Sequence, residues 1–169
     1  MKRLADWGFS RDSWKGERGE YLVLLQGLLM IGYLFIPVYR PAWLNVEPPL
    51  LYGIWAIAIF LILLSAIFMG KGLFDLGSNL TPLPYPKQDG QLIQSGVYSI
   101  VRHPLYSGLL LAAKGWTVWH LSLSHLAGVI IGFLFFNAKA NREEIWLTEK
   151  YPDYPTYQQR VKKLIPWVY

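Results

Sequence analysis

Four long apolar runs, separated by polar segments, dominate the chain. They cover residues 21–39, 50–70, 105–119 and 121–138. About 20 apolar residues are needed to cross the hydrocarbon core of a bilayer. The region 105–138 is too long for one crossing, because a helix rises about 1.5 Å per residue. The pattern therefore predicts an all-α integral membrane protein with about four transmembrane helices, of which the last two form a helical hairpin.

The polar segments complete the predicted layout of a single membrane domain, residues 1–169. Residues 1–20 mix both charges with aromatic side chains, which is typical of a segment at the membrane interface. Residues 71–104 form the longest polar loop, in which three prolines favour extended backbone. Residues 139–169 are charged and rich in tyrosine. We expect them to continue the fourth helix as a helical tail, with a short further helix at 156–163 after two prolines.

Composition and charge support this class and orient the chain. It is 53% hydrophobic and 16% charged, whereas an ordinary soluble domain carries roughly 25% charged residues. With four spans, 14 of the 16 lysines and arginines fall on the side that holds both termini and the 71–104 loop. The positive-inside rule predicts that this side, and so the tail, is cytoplasmic. The absence of cysteine excludes disulfides and thiolate chemistry. The net charge of +5 forms no basic stripe on a soluble domain, so no nucleic-acid partner is predicted.

The run S-G-V-Y-S-I-V-R-H-P-L-Y-S-G, residues 95–108, joins the polar loop to the third apolar run. Pro104 suits the first position of a helix, which places Arg102 and His103 at its N-terminus. Free N–H groups and the helix dipole favour an anion there. The run therefore predicts a pocket for an anionic, aromatic ligand. The alternative is that the two cationic residues only cap a membrane segment at the interface.

Two further features place charge near this helix mouth. Lys139, Arg142, Glu143 and Trp146 follow helical spacing and share one face of the tail. This spacing is typical either of a binding surface or of a solvent-exposed helix whose charged side chains form ion pairs with one another. Lys114 lies inside the third apolar run, where a charge is costly and by default functional. It either faces the pocket or pairs with another polar group. The sequence contains no metal motif and no glycine-rich phosphate loop.

Two motifs together resemble a known enzyme family. The run L-I-Q-S-G-V-Y-S-I-V-R-H-P-L-Y-S-G is followed, after the predicted hairpin, by N-R-E-E-I-W-L-T-E-K-Y-P-D-Y-P-T-Y-Q-Q-R-V-K-K-L-I-P. This order resembles the isoprenylcysteine carboxyl methyltransferase family. Phospholipid N-methyltransferases are related and share the paired glutamates. The similarity covers about residues 79–166, and the first two spans match only as generic apolar helices.

The resemblance implies a membrane enzyme that uses S-adenosylmethionine at its cytoplasmic face. The implied acceptor is an amphipathic or prenylated small molecule or lipid, methylated on a carboxylate oxygen or an amine nitrogen. By motif position, the implied cofactor-binding residues are Gln91, Leu92, Ile93, Tyr98, His103, Pro104, Leu105, Tyr106 and Glu143. The implied catalytic residues are Arg102 and Glu144. The implied substrate-binding residues are Lys139, Arg142 and Lys114, with Lys139 standing where family members carry an arginine.

Two alternatives belong to other functional classes. Membrane sterol and steroid reductases carry a similar R-H-P-x-Y region and bind NADPH there. A non-catalytic membrane scaffold that binds no cofactor is the second alternative. The residues leave open the acceptor atom, the lipid and the oligomeric state.

Overall fold

Five α-helices form the part of the chain that the computed structural model describes, residues 16–169. The predicted interfacial segment 1–20 lies mostly outside the described residues. The helices are α1 (Glu20–Leu34), α2 (Pro48–Leu76), α3 (Pro104–His120), α4 (Leu123–Lys150) and α5 (Tyr154–Arg160). Short 3-10 turns occur at Ala42–Leu44, Gly77–Asn79 and Gly96–Ser99. The all-helical prediction is confirmed.

Two of these helices, α2 and α4, are long and apolar enough to cross a membrane. Their apolar side chains lie mostly on the outer surface rather than in a core. Helix α3 has 17 residues and α1 has 15, and a 15-residue helix is only about 22 Å long. Of the four predicted spans, two correspond to helices that could cross a membrane by length and composition. The lengths of the other two fall short of a full crossing.

Two predicted helix ends were wrong by five residues or more. Helix α1 ends at Leu34, five residues before the predicted end at residue 39. Pro37 explains this, because proline disfavours helical backbone in the residue before it and cannot donate to a helical carbonyl. Helix α2 continues to Leu76, so the first six residues of the predicted 71–104 loop are helical. Lys71 and Asp75 therefore lie on α2 and not in a loop.

Helices α2 and α3 pack closely through small residues. A Cβ on Gly108 would lie 3.3 Å from the Ser65 carbonyl oxygen, and one on Gly115 would lie 3.1 Å from that of Ala58. The Ser65 hydroxyl donates to the Gly108 carbonyl over 2.7 Å. Small side chains let two helix backbones approach in an apolar environment. These contacts pack α3 along α2, with Gly108 beside Ser65 and Gly115 beside Ala58.

The predicted helical hairpin is formed by α3 and α4. Leu121 adopts left-handed backbone, with φ of 50°, and ends α3. The Ser122 hydroxyl accepts from the His125 N–H over 3.3 Å and so caps α4. Helix α4 runs on to Lys150, as predicted for the tail. Tyr33 donates to the Ala113 carbonyl over 2.7 Å and attaches α1 to the hairpin.

The last nine residues, 161–169, form a non-helical C-terminal segment that packs beside the start of α3. The Arg102 N–H donates to the Lys162 carbonyl over 2.8 Å, and the His103 N–H donates to the Lys163 carbonyl over 3.1 Å. The short helix predicted at 156–163 is instead Tyr154–Arg160. It ends earlier because the carbonyls of the following residues pair with the loop before α3.

Candidate active site

A cavity of about 390 Å³ lies where the end of α2, the loop before α3, the start of α3, the second half of α4 and α5 meet. All nine residues that the resemblance assigns to the cofactor line it. They are Gln91, Leu92, Ile93, Tyr98, His103, Pro104, Leu105, Tyr106 and Glu143. Residues far apart in the sequence thus share one concave site, and a cavity of this size suits a small-molecule ligand.

The end of α2 holds the loop that forms one wall of this cavity. Asp75 accepts from the Val97 N–H over 2.9 Å, and Asn79 accepts from the Gln91 N–H over 2.7 Å. Gly96 has φ of +61°, and a Cβ there would lie 2.0 Å from an Asp75 carboxylate oxygen. Only glycine suits this backbone and this close approach. No motif in the sequence gave a signal for Asp75 or Asn79 as supports of the site.

Glu143 projects from α4 into the cavity, where aromatic side chains of α3 orient it. The Tyr106 hydroxyl donates to Glu143 Oε2 over 2.7 Å, and His103 Nδ1 lies 3.7 Å from the same oxygen. The His103 and Tyr106 rings stack in parallel, with centroids 5.3 Å apart. The carboxylate side chain is 23% exposed. Glu143 therefore presents a fixed negative charge beside two aromatic faces.

Glu144, the second glutamate of the pair, is buried and does not line the cavity. Its Oε1 accepts from Arg102 Nε over 2.8 Å and lies 3.0 Å from His103 Nε2. Its Oε2 accepts from Gln158 over 3.1 Å. Arg102 also donates to the Gln158 carbonyl over 3.2 Å and to that of Val161. Glu144 thus connects the loop, α4 and α5, and sets the ring position of His103.

Lys139 also lines the cavity and is only 2% exposed. Its ammonium donates to Gln26 Oε1 over 2.5 Å and lies 5.1 Å from the centroid of the Tyr106 ring. An ammonium carries three N–H donors. Among residues 16–169, two of these donors have no hydrogen-bond partner. Buried donors of this kind favour an anionic group nearby.

The other two predicted substrate residues lie outside this cavity. Arg142 is exposed, and its guanidinium stacks on Trp146 at 4.8 Å from the ring centroid. Lys114 is exposed on α3 and lines neither this cavity nor the apolar one described next. The structure therefore brings Lys139 to the site and leaves Arg142 and Lys114 on the surface.

A second, apolar cavity of about 540 Å³ lies between α1, α3 and α4. Three residues, Gln26, Met30 and Leu109, line both cavities. The two spaces thus meet beside Lys139, with aliphatic and aromatic side chains on one side and the Glu143 site on the other. This arrangement suits a ligand with an apolar tail and a polar head.

Three buried tyrosines form a further group at this site. Tyr98, Tyr154 and Tyr157 all line the first cavity. Burial raises the pKa of each phenol well above its usual value, so all three stay neutral. Nearby Glu143 raises the Tyr98 pKa further. The Tyr157 hydroxyl donates to the Tyr98 carbonyl. The tyrosine-rich tail was the available signal for Tyr154 and Tyr157.

Comparison with known proteins identifies a family. Residues 54–154 match the phospholipid methyltransferase family. The chain is 30% identical over 165 residues to a methanethiol S-methyltransferase of a Pseudomonas species, covering 89% of this chain and 60% of that protein. It is 31% identical over 121 residues to protein-S-isoprenylcysteine O-methyltransferase B of Arabidopsis thaliana, covering 68% of this chain and 61% of that protein.

The chain spans about three fifths of the length of these two relatives. Their names give different methyl acceptors, a small thiol in one and a prenylated cysteine in the other. The match confirms the resemblance to the isoprenylcysteine methyltransferases at the level of the family. It gives no support to the reductase alternative. The chain belongs to the phospholipid methyltransferase family, whose members are membrane methyltransferases that use S-adenosylmethionine.

Proposed function

We propose that this protein transfers a methyl group from S-adenosylmethionine to the anionic head of an amphipathic acceptor. The observation that carries the proposal is the meeting of the two cavities at Lys139. One cavity holds the nine residues that family resemblance assigns to the cofactor, and the other is apolar. The buried Lys139 ammonium lines the first cavity and donates to Gln26, a residue that lines both. Cofactor and acceptor head would meet at that point.

The residues of the first cavity fit S-adenosylmethionine. This molecule combines a flat purine, a ribose, a sulfonium and an amino acid group. Leu92 and Ile93 offer apolar surface for a purine, and Glu143 offers a carboxylate for a ribose hydroxyl or an ammonium. The stacked rings of His103 and Tyr106 offer aromatic faces, which attract a cation such as a sulfonium. When bound, the cofactor supplies an electrophilic methyl group.

The residues of this chain would act mainly by positioning and by excluding water. Tyr106 fixes the Glu143 carboxylate, while Glu144 holds Arg102 and His103 in place. Leu83 is only 4% exposed and helps to close the cavity. Holding two reactants in line can lower the activation free energy by several kcal/mol. A carboxylate acceptor is already an anion near neutral pH and needs no general base. A thiol acceptor would first lose its proton to water, a loss that the neighbouring Lys139 ammonium favours.

Charge favours an anionic acceptor over an amine. Two free donors on Lys139 can bind a carboxylate or a thiolate. A protonated amine would be repelled by the same ammonium in a site with little water, and the neutral amine that could accept a methyl group brings no negative charge to this ammonium. Lysine binds an anion as a point charge and lacks the two-pronged grip of arginine on a carboxylate. The site therefore suits a thiolate as well as a carboxylate.

We also propose that both termini and the active site lie on the cytoplasmic side, with α1 and α3 embedded beside α2 and α4. The distribution of lysine and arginine supports this orientation. The mostly exposed apolar surface of α2 and α4 supports membrane embedding. The apolar cavity would then lie at the depth of the lipid tails.

Acceptors that share one tail test the proposal. Purified protein in liposomes would be given methyl-labelled S-adenosylmethionine with a dodecyl chain that ends in a thiol, a carboxylate or an amine. We expect label on the thiol or the carboxylate and none on the amine, with activity lost in His103→Ala. Labelling of the amine alone would overturn the anionic acceptor. Protein that binds S-adenosylhomocysteine and labels none of the three would overturn the proposed acceptor class.

A further inference from the structure

The Tyr154 hydroxyl is the one fully buried side-chain polar atom without a hydrogen-bond partner among residues 16–169. Tyr154 is 1% exposed and lines the first cavity. Native proteins leave few such groups, because each lost hydrogen bond in a buried site costs free energy. Because the residue lines a cavity, its unpartnered hydroxyl points to a partner that arrives with a ligand.

The neighbouring polar groups are already engaged and leave the hydroxyl without a protein partner. Arg102 donates to Glu144 and to two carbonyls. Gln158 donates to the other Glu144 oxygen. The Tyr157 hydroxyl donates to the Tyr98 carbonyl. Each of these contacts holds the wall of the cavity, and none extends to the Tyr154 hydroxyl.

Packing and backbone contacts hold the Tyr154 ring in place. It packs edge to face against Tyr157, with centroids 5.7 Å apart and planes at 70°. The Tyr154 N–H donates to the Tyr151 carbonyl over 3.0 Å, at the start of α5. Burial raises the pKa of Tyr154 well above its usual value. The group therefore stays a neutral hydroxyl that can both donate and accept.

We propose that Tyr154 is a further ligand-binding residue of this cavity, whose hydroxyl bonds to a polar atom of the bound cofactor. The inference rests on the proposed function, since it takes the ligand to be S-adenosylmethionine or its product. The residue lies within the second motif run, residues 141–166, but is not one of the nine predicted contacts. It adds a contact from α5, an element with no predicted role in binding.

This role has a signature that a purely structural tyrosine lacks. Tyr154→Phe removes a hydroxyl that has no partner in the free protein, so thermal stability without ligand should be unchanged or slightly higher. Binding should weaken, because the ligand loses one hydrogen bond. We expect about a tenfold higher Kd for S-adenosylhomocysteine, as the loss of one hydrogen bond typically gives.

Tyr157→Phe is the matched control. Its hydroxyl has a partner in the free protein, so this variant should lower thermal stability without ligand. The pair therefore separates loss of a ligand contact from loss of a structural contact. Both variants remove one oxygen from neighbouring tyrosines of α5 and keep the rings.

The test is calorimetric titration with S-adenosylhomocysteine and thermal unfolding without ligand, on the full chain in detergent. Weaker binding by Tyr154→Phe with undiminished stability supports the inference. Equal binding by Tyr154→Phe and the unsubstituted protein would overturn it and leave the proposed function intact. Reduced stability of ligand-free Tyr154→Phe would also overturn it, because the hydroxyl would then have a protein partner. Absence of binding by the unsubstituted protein would overturn both.

Discussion

Arg102 Nε donates to Glu144 Oε1 over 2.8 Å, across 42 positions of sequence. The Arg102 side chain is 8% exposed and that of Glu144 is 9%. The same carboxylate oxygen lies 3.0 Å from His103 Nε2. One buried ion pair therefore attaches the loop before α3 to α4 and positions the histidine that lines the cavity. The two motifs of the sequence are thus parts of one structural unit.

Glu144→Gln tests this unit. It removes the negative charge and leaves the Arg102 guanidinium buried without a counter-ion. Losing one partner of a buried pair is strongly destabilising, and we expect a loss of roughly 3 kcal/mol. The measurement is thermal unfolding in detergent, with Glu149→Gln as the matched control. Glu149 lies on the same helix and is exposed. Equal stability of the two variants would contradict a structural role for the pair.

Tyr106→Phe tests how Glu143 is oriented. The variant keeps the ring that stacks on His103 and Phe136 and deletes the hydroxyl that donates to Glu143. Hydrogen bonds to charged groups contribute about 1.5–3 kcal/mol, so we expect about a tenfold higher Kd for S-adenosylhomocysteine. Calorimetry would measure it. Tyr52→Phe, at an exposed position of α2, is the control and should bind S-adenosylhomocysteine normally. If Tyr106→Phe binds this ligand as tightly as Tyr52→Phe does, the orientation of Glu143 by Tyr106 is not needed for binding.

Lys139→Met tests acceptor recognition. The substitution keeps most of the side-chain length and removes the charge. We expect the KM for the anionic acceptor to rise at least about tenfold, as loss of a charged hydrogen bond implies. The Kd for S-adenosylhomocysteine should change little. Steady-state methylation kinetics measure the first quantity, and calorimetry measures the second.

Lys114→Met is the comparison for Lys139. The sequence places both lysines near the site, whereas in the structure Lys114 is exposed and outside both cavities. We expect the KM of Lys114→Met for the acceptor to stay within about twofold of the value for the unsubstituted protein. A twofold change is small in binding free energy. A large KM effect at Lys114, with none at Lys139, would contradict the assignment of the acceptor site.

Leu164→Ala tests the C-terminal segment 161–169. Leu164 is 2% exposed, and its carbonyl accepts from the Ser107 hydroxyl over 2.7 Å. Truncating a buried leucine costs about 2–5 kcal/mol, so we expect a lower unfolding temperature and weaker ligand binding. Ile165→Ala, next to it but 42% exposed, is the control. If both variants unfold like the parent, the segment does not support the site.

Much of the fold and of the site follows from local sequence signals. Apolar runs of helical length predicted α2 and α4, because a segment that crosses a membrane must satisfy its backbone hydrogen bonds internally. The R-H-P and E-E motifs, with their flanking residues, predicted nine side chains that all line one cavity. Helical spacing placed Lys139 and Glu143 one turn apart on α4. These features depend on residues that are near in sequence.

The remaining features depend on contacts between distant residues, which no local pattern encodes. Asp75 supports the loop only because α2 runs six residues further than its apolar run indicates. Arg142 shares a helical face with Lys139 in spacing, yet a neighbouring Trp146 ring holds it outside the cavity. The roles of Tyr154 and of segment 161–169 emerge only once the tail has folded back onto α3.

The most direct test of the central claim is a titration of the purified protein with S-adenosylhomocysteine and, separately, with NADPH. A ligand that binds only the folded state raises apparent stability, so thermal shift and calorimetry can be combined. We predict binding of S-adenosylhomocysteine, strongly reduced in His103→Ala and in Glu143→Ala, and no binding of NADPH. Binding of NADPH in place of S-adenosylhomocysteine, or affinity unchanged in both variants, would contradict a methyltransferase site in this cavity.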